Sequence, residues 1–360
     1  MKPLRFGILG AAGIARKNWK AILHSGNSTL AAVASRDAAK ARQFIAELQA
    51  EAPFATPPAA LGSYEALLAD PRIDAVYIPL PTALRAEWVI RAAEAGKHVV
   101  CEKPCAVSTA VLDTMLSACR RHRVQFLDGV MFMHSPRLAR MREVLDDATA
   151  LGEVRRITSQ FSFLGHEDFF DRNIRINPAL EPLGCLGDLG WYNLRFALWA
   201  GHWRLPAAVS GRILSATPDG VPTDFSGELQ FNGGVSSGFY CSFLNYRQQW
   251  ANVSGTRGYL QVNDFVNPFD GAESTFEVTQ IGQEGHRALP VVQRFAVPGH
   301  ACVHPTAPEA SMFRHFAAQV ATGQLNEAWF QWARQTQLVM DACLASARAG
   351  GTWQPVAATS

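Results

Sequence analysis

From residue 4 to about residue 128, short, largely apolar runs alternate with longer stretches whose apolar residues recur at helical spacing. The runs at 4–9, 30–35, 75–78, 98–101 and 125–127 predict strands, and 14–23, 38–50, 63–69, 83–95 and 108–122 predict helices. Ser63 and Ser108 stand where a helix N-cap belongs, and Gly96 stands where a left-handed residue closes a helix. Alternation of this kind builds a parallel sheet, because every parallel neighbour needs a crossover as long as a helix. Past residue 150 the pattern changes. Strands are expected at 154–163, 208–215, 225–231, 235–243, 250–253, 259–262, 274–281 and 291–297, with helices at 187–199, 308–321 and 329–347. Turn residues such as Asn232-Gly233-Gly234 between neighbouring runs predict hairpins in a mostly antiparallel sheet. No flexible linker separates the two textures, so the division is placed near 128–136, giving domains 1–130 and 131–360.

Composition narrows the picture. A chain of 360 residues with 48% hydrophobic and 18% charged side chains can fill two cores and is not a disordered tail. Its 33 Lys and Arg are balanced by 31 Asp and Glu and are scattered, so nucleic acid is not an expected partner. No apolar run approaches the roughly 18 residues of a membrane span. The stretch to Ala15 imitates a signal peptide, but Arg16 and Lys17 follow at once and its glycines suit another role. Seven cysteines, at 101, 105, 119, 185, 241, 302 and 343, form no CxxC pair, which fits reduced thiols in a cytoplasmic protein with neither a disulfide framework nor a zinc site.

Four short segments could carry chemistry. The first strand runs into Gly10-Ala11-Ala12-Gly13-Ile14-Ala15, a G-x-G-x-x-A fingerprint with Ala12 at the second glycine. Gly10 allows a tight turn, Ala12 lets a pyrophosphate approach the helix N-terminus, and Ala15 lets the helix pack on the strand. Read alone, the same residues make a plain tight turn. The second strand ends in Ser35-Arg36-Asp37, where a hydroxyl and a guanidinium suit the 2′-phosphate of NADP better than the bare ribose of NAD. The alternative leaves Arg36 solvated and gives the ribose to Asp37. The strand 98–101 delivers Glu102, Lys103 and Pro104 to the carboxyl edge of the sheet, where open α/β sheets bind ligands, although a surface ion pair fits the same letters. Finally, Gly187-Asp188-Leu189-Gly190-Trp191-Tyr192 places a carboxylate and a phenol four residues apart, on one face of a helix. A nearby ammonium would bring such a phenol toward acid/base work, whereas the plainer reading is a capping Asp and a core Tyr.

Taken in order, Gly10 to Ala15, Ser35-Arg36, Tyr77-Ile78-Pro79-Leu80-Pro81-Thr82, Gly96 to Pro104 and Gly187 to Tyr192 resemble the Gfo/Idh/MocA oxidoreductase family. The likeness spans nearly the whole chain. It is strongest to the branch with Tyr in place of the usual catalytic His, as in dimeric dihydrodiol dehydrogenase and glucose-fructose oxidoreductase. The resemblance implies an α/β fold, with an N-terminal Rossmann dinucleotide-binding domain and a C-terminal α/β domain. The latter would carry an open, mostly antiparallel sheet whose outer face builds a homodimer or homotetramer. It implies a cis peptide between Lys103 and Pro104. Lys103 and Tyr192 would form the catalytic pair, Asp188 would orient substrate, and Glu102 would lie near the nicotinamide ribose. Gly10, Ala12, Gly13, Ile14, Ala15, Ser35, Arg36, Pro79, Leu80, Pro81, Leu84, Glu102, Lys103 and Trp191 would hold NADP. His134, Asn173, Arg175 and Trp191 are candidate contacts to a sugar-like substrate, with Phe132 and Phe163 equally well explained as core. The implied reaction is hydride exchange with a carbinol carbon of a sugar, polyol or cyclic diol, and needs no metal. A glycosidase with an internally recycled cofactor and a dinucleotide-binding sensor are the alternatives. One departure stands out. The family's Asn/Thr-x-x-His turn reads Thr82-Ala83-Leu84-Arg85 here.

Overall fold

The structure, a computed structural model, describes residues 2–269, 271–284, 287–301 and 303–356. Compactness divides the chain into two units, 1–135 with 300–334, and 136–299 with 335–360.

In the first unit, β1 (Leu4–Leu9), β2 (Ser28–Ala34), β3 (Ala59–Leu61), β4 (Ala75–Ile78), β5 (His98–Cys101) and β6 (Phe126–Asp128) form a six-stranded sheet in the order β3-β2-β1-β4-β5-β6. Every pairing in it is parallel. The crossovers are α1 (Gly13–His24), α2 (Ala38–Glu51), α3 (Tyr64–Leu68), α4 (Thr82–Glu94) and α5 (Thr109–Arg121). Ser63 and Ser108 cap α3 and α5 through their hydroxyls, and Gly96 takes φ +69° after α4. Strands buried on both faces read as near-continuous apolar runs, which is why β4 and the buried parts of β1 and β5 were visible without alternation. The strand β3 is three half-buried residues and has no such signature.

The later segment 300–334 counts with this unit because its aromatic residues complete the core. Phe313 and Phe316 lie 5.3 and 5.9 Å from Phe6, and Phe330 lies 6.0 Å from Phe126, ring centre to ring centre.

The second unit contains α6 (Pro136–Asp146), β7 (Val154–Leu164), α7 (Glu167–Arg172), α8 (Trp191–Ala200), β8 (Ala208–Ala216), β9 (Pro222–Gln230), β10 (Ser236–Ser242), β11 (Leu244–Gly255), β12 (Gly258–Val262), β13 (Glu273–Glu284), β14 (Arg287–Pro298) and β15 (Gln354–Pro355). Its sheet runs β14-β13-β12-β11-β7-β10-β9-β8-β15, open at both ends. Among the described residues, β7/β10 is the one parallel pairing between these strands; the rest are antiparallel, as the turn chemistry predicted. Of the two C-terminal helices, α9 (Pro308–Ala321) belongs to the first unit, and the unit boundary falls within α10 (Glu327–Arg348). Six of the seven cysteines are buried and unpaired; Cys302 lies outside the described residues.

Candidate active site

The β1/α1 turn has the form an anion needs. Gly10 holds φ +115°, a conformation closed to most side chains, and a Cβ there would stand 3.2 Å from Leu80 Cδ2. The helix that follows starts at Ala12 with no side-chain cap and no acidic residue in its first turn. With the Ala15 amide bonded to the Ala12 carbonyl at 3.0 Å, the Gly13 and Ile14 N–H groups and the helix dipole are left to a ligand. A Cβ on Gly13 would meet nothing within 4 Å, and Ile14 and Leu84 expose apolar surface at 44% and 41%. Ala15 is fully buried against the sheet. These features fit a dinucleotide pyrophosphate.

At the end of β2, Asp37 is already employed. Its carboxylate accepts from the Ala39 amide at 2.8 Å as the N-cap of α2, while Ser35 Oγ accepts from the Asp37 amide. Arg36 is exposed beside them. The half-buried Tyr64 phenol hangs near the phosphate turn, 3.5 Å from where a Gly10 Cβ would stand, and burial raises it above the ordinary tyrosine value despite the opposing charge of Arg36. Tyr64 was not among the residues expected at the site.

At the carboxyl edges of β4 and β5, Glu102 is buried and held by three donors. Tyr77 Oη donates to Glu102 Oε1 at 2.6 Å, and Asn18 Nδ2 lies 2.5 Å from Tyr77 Oη and 3.4 Å from the same carboxylate oxygen. Burial first, and the Glu102 charge second, push the Tyr77 phenol well above its usual range, so it stays a donor. The Lys103 amide closes back on Glu102 Oε2 at 3.2 Å, and the Lys103–Pro104 peptide is cis. The Pro79-Leu80-Pro81 turn is the N-terminal approach to α4 and carries the exposed Leu84 on its first helical turn. Arg85 is buried there, not solvated, and bonds to backbone on both sides of it.

In the second unit, Asn173, Arg175 and Asp188 come together. Asn173 caps a single 3₁₀ turn by accepting from the Arg175 amide at 3.1 Å, and Arg175 Nε donates to Asp188 Oδ2 at 2.7 Å. The Asp188 carboxylate, opposed by burial, raises the Arg175 guanidinium further, with Tyr192 contributing to its field. Asp188 and Tyr192 do not sit on one face of a regular α-helix, as their spacing implied. Residues Leu186–Gly190 form a π-helical turn that passes into α8 at Trp191, so the geometry between them is not that of a regular α-helix. Such one-turn widenings recur at functional sites. Tyr192 is 7% exposed with its ring edge-on to Phe161, and Trp191 is fully buried beside the Arg195 guanidinium.

His134 stands apart from the phosphate turn. Its Nδ1 lies 3.2 Å from Nδ1 of His315, its ring packs on Trp329, and it lines a cavity of about 390 Å³ with Trp332 and Gln319. The neighbouring Arg314 bonds to the His24 and Ser25 carbonyls, at the far end of α1 from Gly13. Phe132 is core at 2% exposure, and Phe163 belongs to an aromatic cluster with Phe169 and Phe243. Asn18 and Tyr77 as partners of Glu102 were not read from the sequence. Their only trace there is a polar residue on the buried face of α1 and a tyrosine in an apolar strand.

Residues 4–129 match the oxidoreductase family with an NAD-binding Rossmann fold named GFO_IDH_MocA, and residues 138–261 match the GFO/IDH/MocA C-terminal domain. The chain is 37% identical over 279 residues to D-xylose 1-dehydrogenase (NADP(+)) 2 of Haloferax volcanii, covering 76% of this chain and 80% of that protein. It is 32% identical over 271 residues to mouse trans-1,2-dihydrobenzene-1,2-diol dehydrogenase, covering 74% and 76%. Among solved structures, the 3-ketoreductase KijD10 from Actinomadura kijaniata, in complex with NADP and TDP-benzene, superposes with a TM-score of 0.81 at 24% identity, covering 96% of this chain and 98% of that one. The aldose-aldose oxidoreductase of Caulobacter crescentus gives 0.81 at 22% identity, covering 98% and 100%.

Proposed function

The chain belongs to the Gfo/Idh/MocA oxidoreductases, and from that premise we propose that it is an NADP-dependent dehydrogenase or reductase acting on a CH–OH group of a sugar, polyol or cyclic diol. The observation that carries the reading is the 37% identity, over three quarters of the chain, to a relative named as an NADP-dependent sugar dehydrogenase. NADP over NAD is supported by the employment of Asp37 as a helix cap, which leaves Ser35 and Arg36 to face a 2′-phosphate. The α1 N-terminus would take the pyrophosphate, with Ile14, Pro79, Leu80, Pro81 and Leu84 as apolar walls and Glu102 near the ribose. When bound, the nicotinamide supplies the hydride exchange.

The chain's own residues handle the proton. Tyr192 Oη takes it from the substrate hydroxyl in oxidation and returns it in reduction, while Lys103 Nζ favours the phenolate and stabilises the alkoxide charge. Asp188, locked by Arg175, accepts from a neighbouring hydroxyl and so selects which carbinol reacts. The division of labour proposed is cofactor on 1–130, and substrate and self-association on 131–360. The buried free thiols suit a reducing compartment, the cytoplasm. No helix among the described residues is long and apolar enough to cross a membrane.

The test is a panel of D-xylose, other aldoses, polyols and trans-dihydrodiols, each with NADP and NAD in parallel, read as reduced-nicotinamide absorbance. Turnover with NADP, lost about 10²- to 10⁴-fold in Lys103→Met and Tyr192→Phe, is the expected result. Wild-type activity that survives both substitutions would overturn the acid/base assignment. Release of an aglycone from aryl glycosides without net NADPH would replace the dehydrogenase reading by a glycosidase.

A further inference from the structure

Arg85 is 5% exposed, and its guanidinium donates to the uncharged oxygens of Leu80, Thr82 and Pro104. Its Nε donates to the Leu80 carbonyl at 2.7 Å, and one terminal nitrogen donates to Thr82 Oγ1 at 3.0 Å and to the Pro104 carbonyl. Burying a guanidinium is expensive unless its N–H groups are matched, and here the match is made with two loops that follow adjacent strands, β4 and β5. Both loops are proline-bearing. Pro79, Pro81 and Pro104 have no amide hydrogen, so the loops have few donors of their own with which to bind each other. The planar five-donor fork of arginine supplies the missing donors from one side chain, whereas a neutral imidazole at this place would have a single N–H to offer.

We propose that Arg85 is the positioning residue for Lys103: it ties the Lys103–Pro104 turn to the Pro79–Pro81 turn and so fixes where the lysine's backbone stands. The inference rests on Lys103 being catalytic, as proposed above, but half of its test does not. The departure from the family's Asn/Thr-x-x-His turn is on this view a substitution of one brace for another. It makes a prediction that a merely structural buried arginine would not. Loss of the fork should alter the environment of Lys103 in particular, and reach the phosphate turn on α1 only through the Leu80 side chain beside Gly10.

The experiment compares wild type, Arg85→Ala, Arg85→Lys and Arg85→Gln in three measurements on the full chain. NADPH affinity is read by fluorescence titration. Lysine reactivity is read by a pulse of acetic anhydride followed by peptide mass spectrometry, with Lys20 as the internal reference. Turnover is read on the fastest substrate of the panel, with and without added guanidinium chloride. Expected are an NADPH affinity weakened no more than a few-fold, through the Pro79–Pro81 wall that Arg85 also braces, a changed acetylation rate at Lys103 with Lys20 unchanged, and a kcat lower by about 100-fold, the effect of a small misplacement of a reacting group. Guanidinium should restore part of that kcat in Arg85→Ala. Should Arg85→Ala fail to fold, Arg85→Gln, which keeps one donor, carries the same comparison. Unchanged Lys103 labelling overturns the proposal, as does a kcat loss matched by an equal loss of NADPH affinity. Full activity in Lys103→Met would instead sink the catalytic reading, while the labelling result would still report whether Arg85 holds the turn.

Discussion

Arg36 and Asp37 are adjacent and opposite in charge, yet the fold gives them different work. Asp37 spends its carboxylate on the α2 N-terminus, and Arg36 is left in solvent at the end of β2. Removing a guanidinium that meets a phosphate costs about 1.5–3 kcal/mol, or roughly tenfold to a hundredfold in affinity. Arg36→Ala should therefore weaken NADP by that factor in a calorimetric titration and barely touch NAD; equal losses would refute the 2′-phosphate assignment. The Tyr77–Glu102 pair makes a second prediction. The folded state raises the Tyr77 pKa, so its contribution is complete below the unfolded phenol's value of about 10 and is lost as pH climbs through the higher folded value. Urea unfolding of Tyr77→Phe should show a loss of about 1–3 kcal/mol near neutrality, from a buried carboxylate short of one donor. The gap to wild type should narrow above about pH 10. A gap constant with pH would mean the phenol is not linked to the fold. Neither role was legible in the sequence, because Tyr77 and Asn18 reach Glu102 across 25 and 84 residues, and no local pattern records such a meeting.

At the scale of elements, the strand-turn-helix around Gly10 to Ala15 was legible because each of its letters answers a local steric demand. Its electrostatics can be tested by filling the one open position. Gly13 opens α1, with no atom near its missing Cβ, so Gly13→Asp adds a carboxylate without a clash. An acid in the first turn stabilises a helix by about 0.3–1 kcal/mol, and the same charge repels a phosphate. The melting temperature should hold or rise slightly while NADPH affinity falls at least about tenfold, a loss of about 1.4 kcal/mol. Unchanged affinity would place the pyrophosphate elsewhere. Other elements hid from the sequence for identifiable reasons. The first five residues of β11, Leu244 to Gln248, are exposed throughout, Leu244 and Tyr246 included, so no buried face marked them and only 250–253 was expected. The π-helical turn at Leu186–Gly190 was read as ordinary helix because a widened turn changes hydrogen bonding and leaves composition alone. Gly184 begins that segment at φ +49°, where a Cβ would overlap the Pro222 carbonyl.

For the molecule as a whole, what could be read in advance was the pair of sheets; what could not was that residues 300–334 return to complete the first core, since Phe313 and Phe316 look like any amphipathic helix until Phe6 is beside them. The proposed self-association follows from what the second unit leaves uncovered. The β13/β14 pair exposes Ile281 at 64% and Val292 at 54% on one face and Val291 at 57% on the other. Exposed apolar surface is where a chain meets another molecule. Pairing in register sets Ile281 opposite Pro290 and Val292 opposite Thr279, which puts Ile281 and Val292 on the same face. If that face meets a second copy, the double substitution Ile281→Lys with Val292→Lys brings charges into a contact they cannot leave without separating the copies. Wild type should then run as a dimer or tetramer by light scattering at micromolar concentration and the variant as a monomer, with NADPH affinity preserved because the phosphate turn belongs to the other unit. A wild type that is already monomeric, or a variant that keeps the native mass, would move the interface off this hairpin.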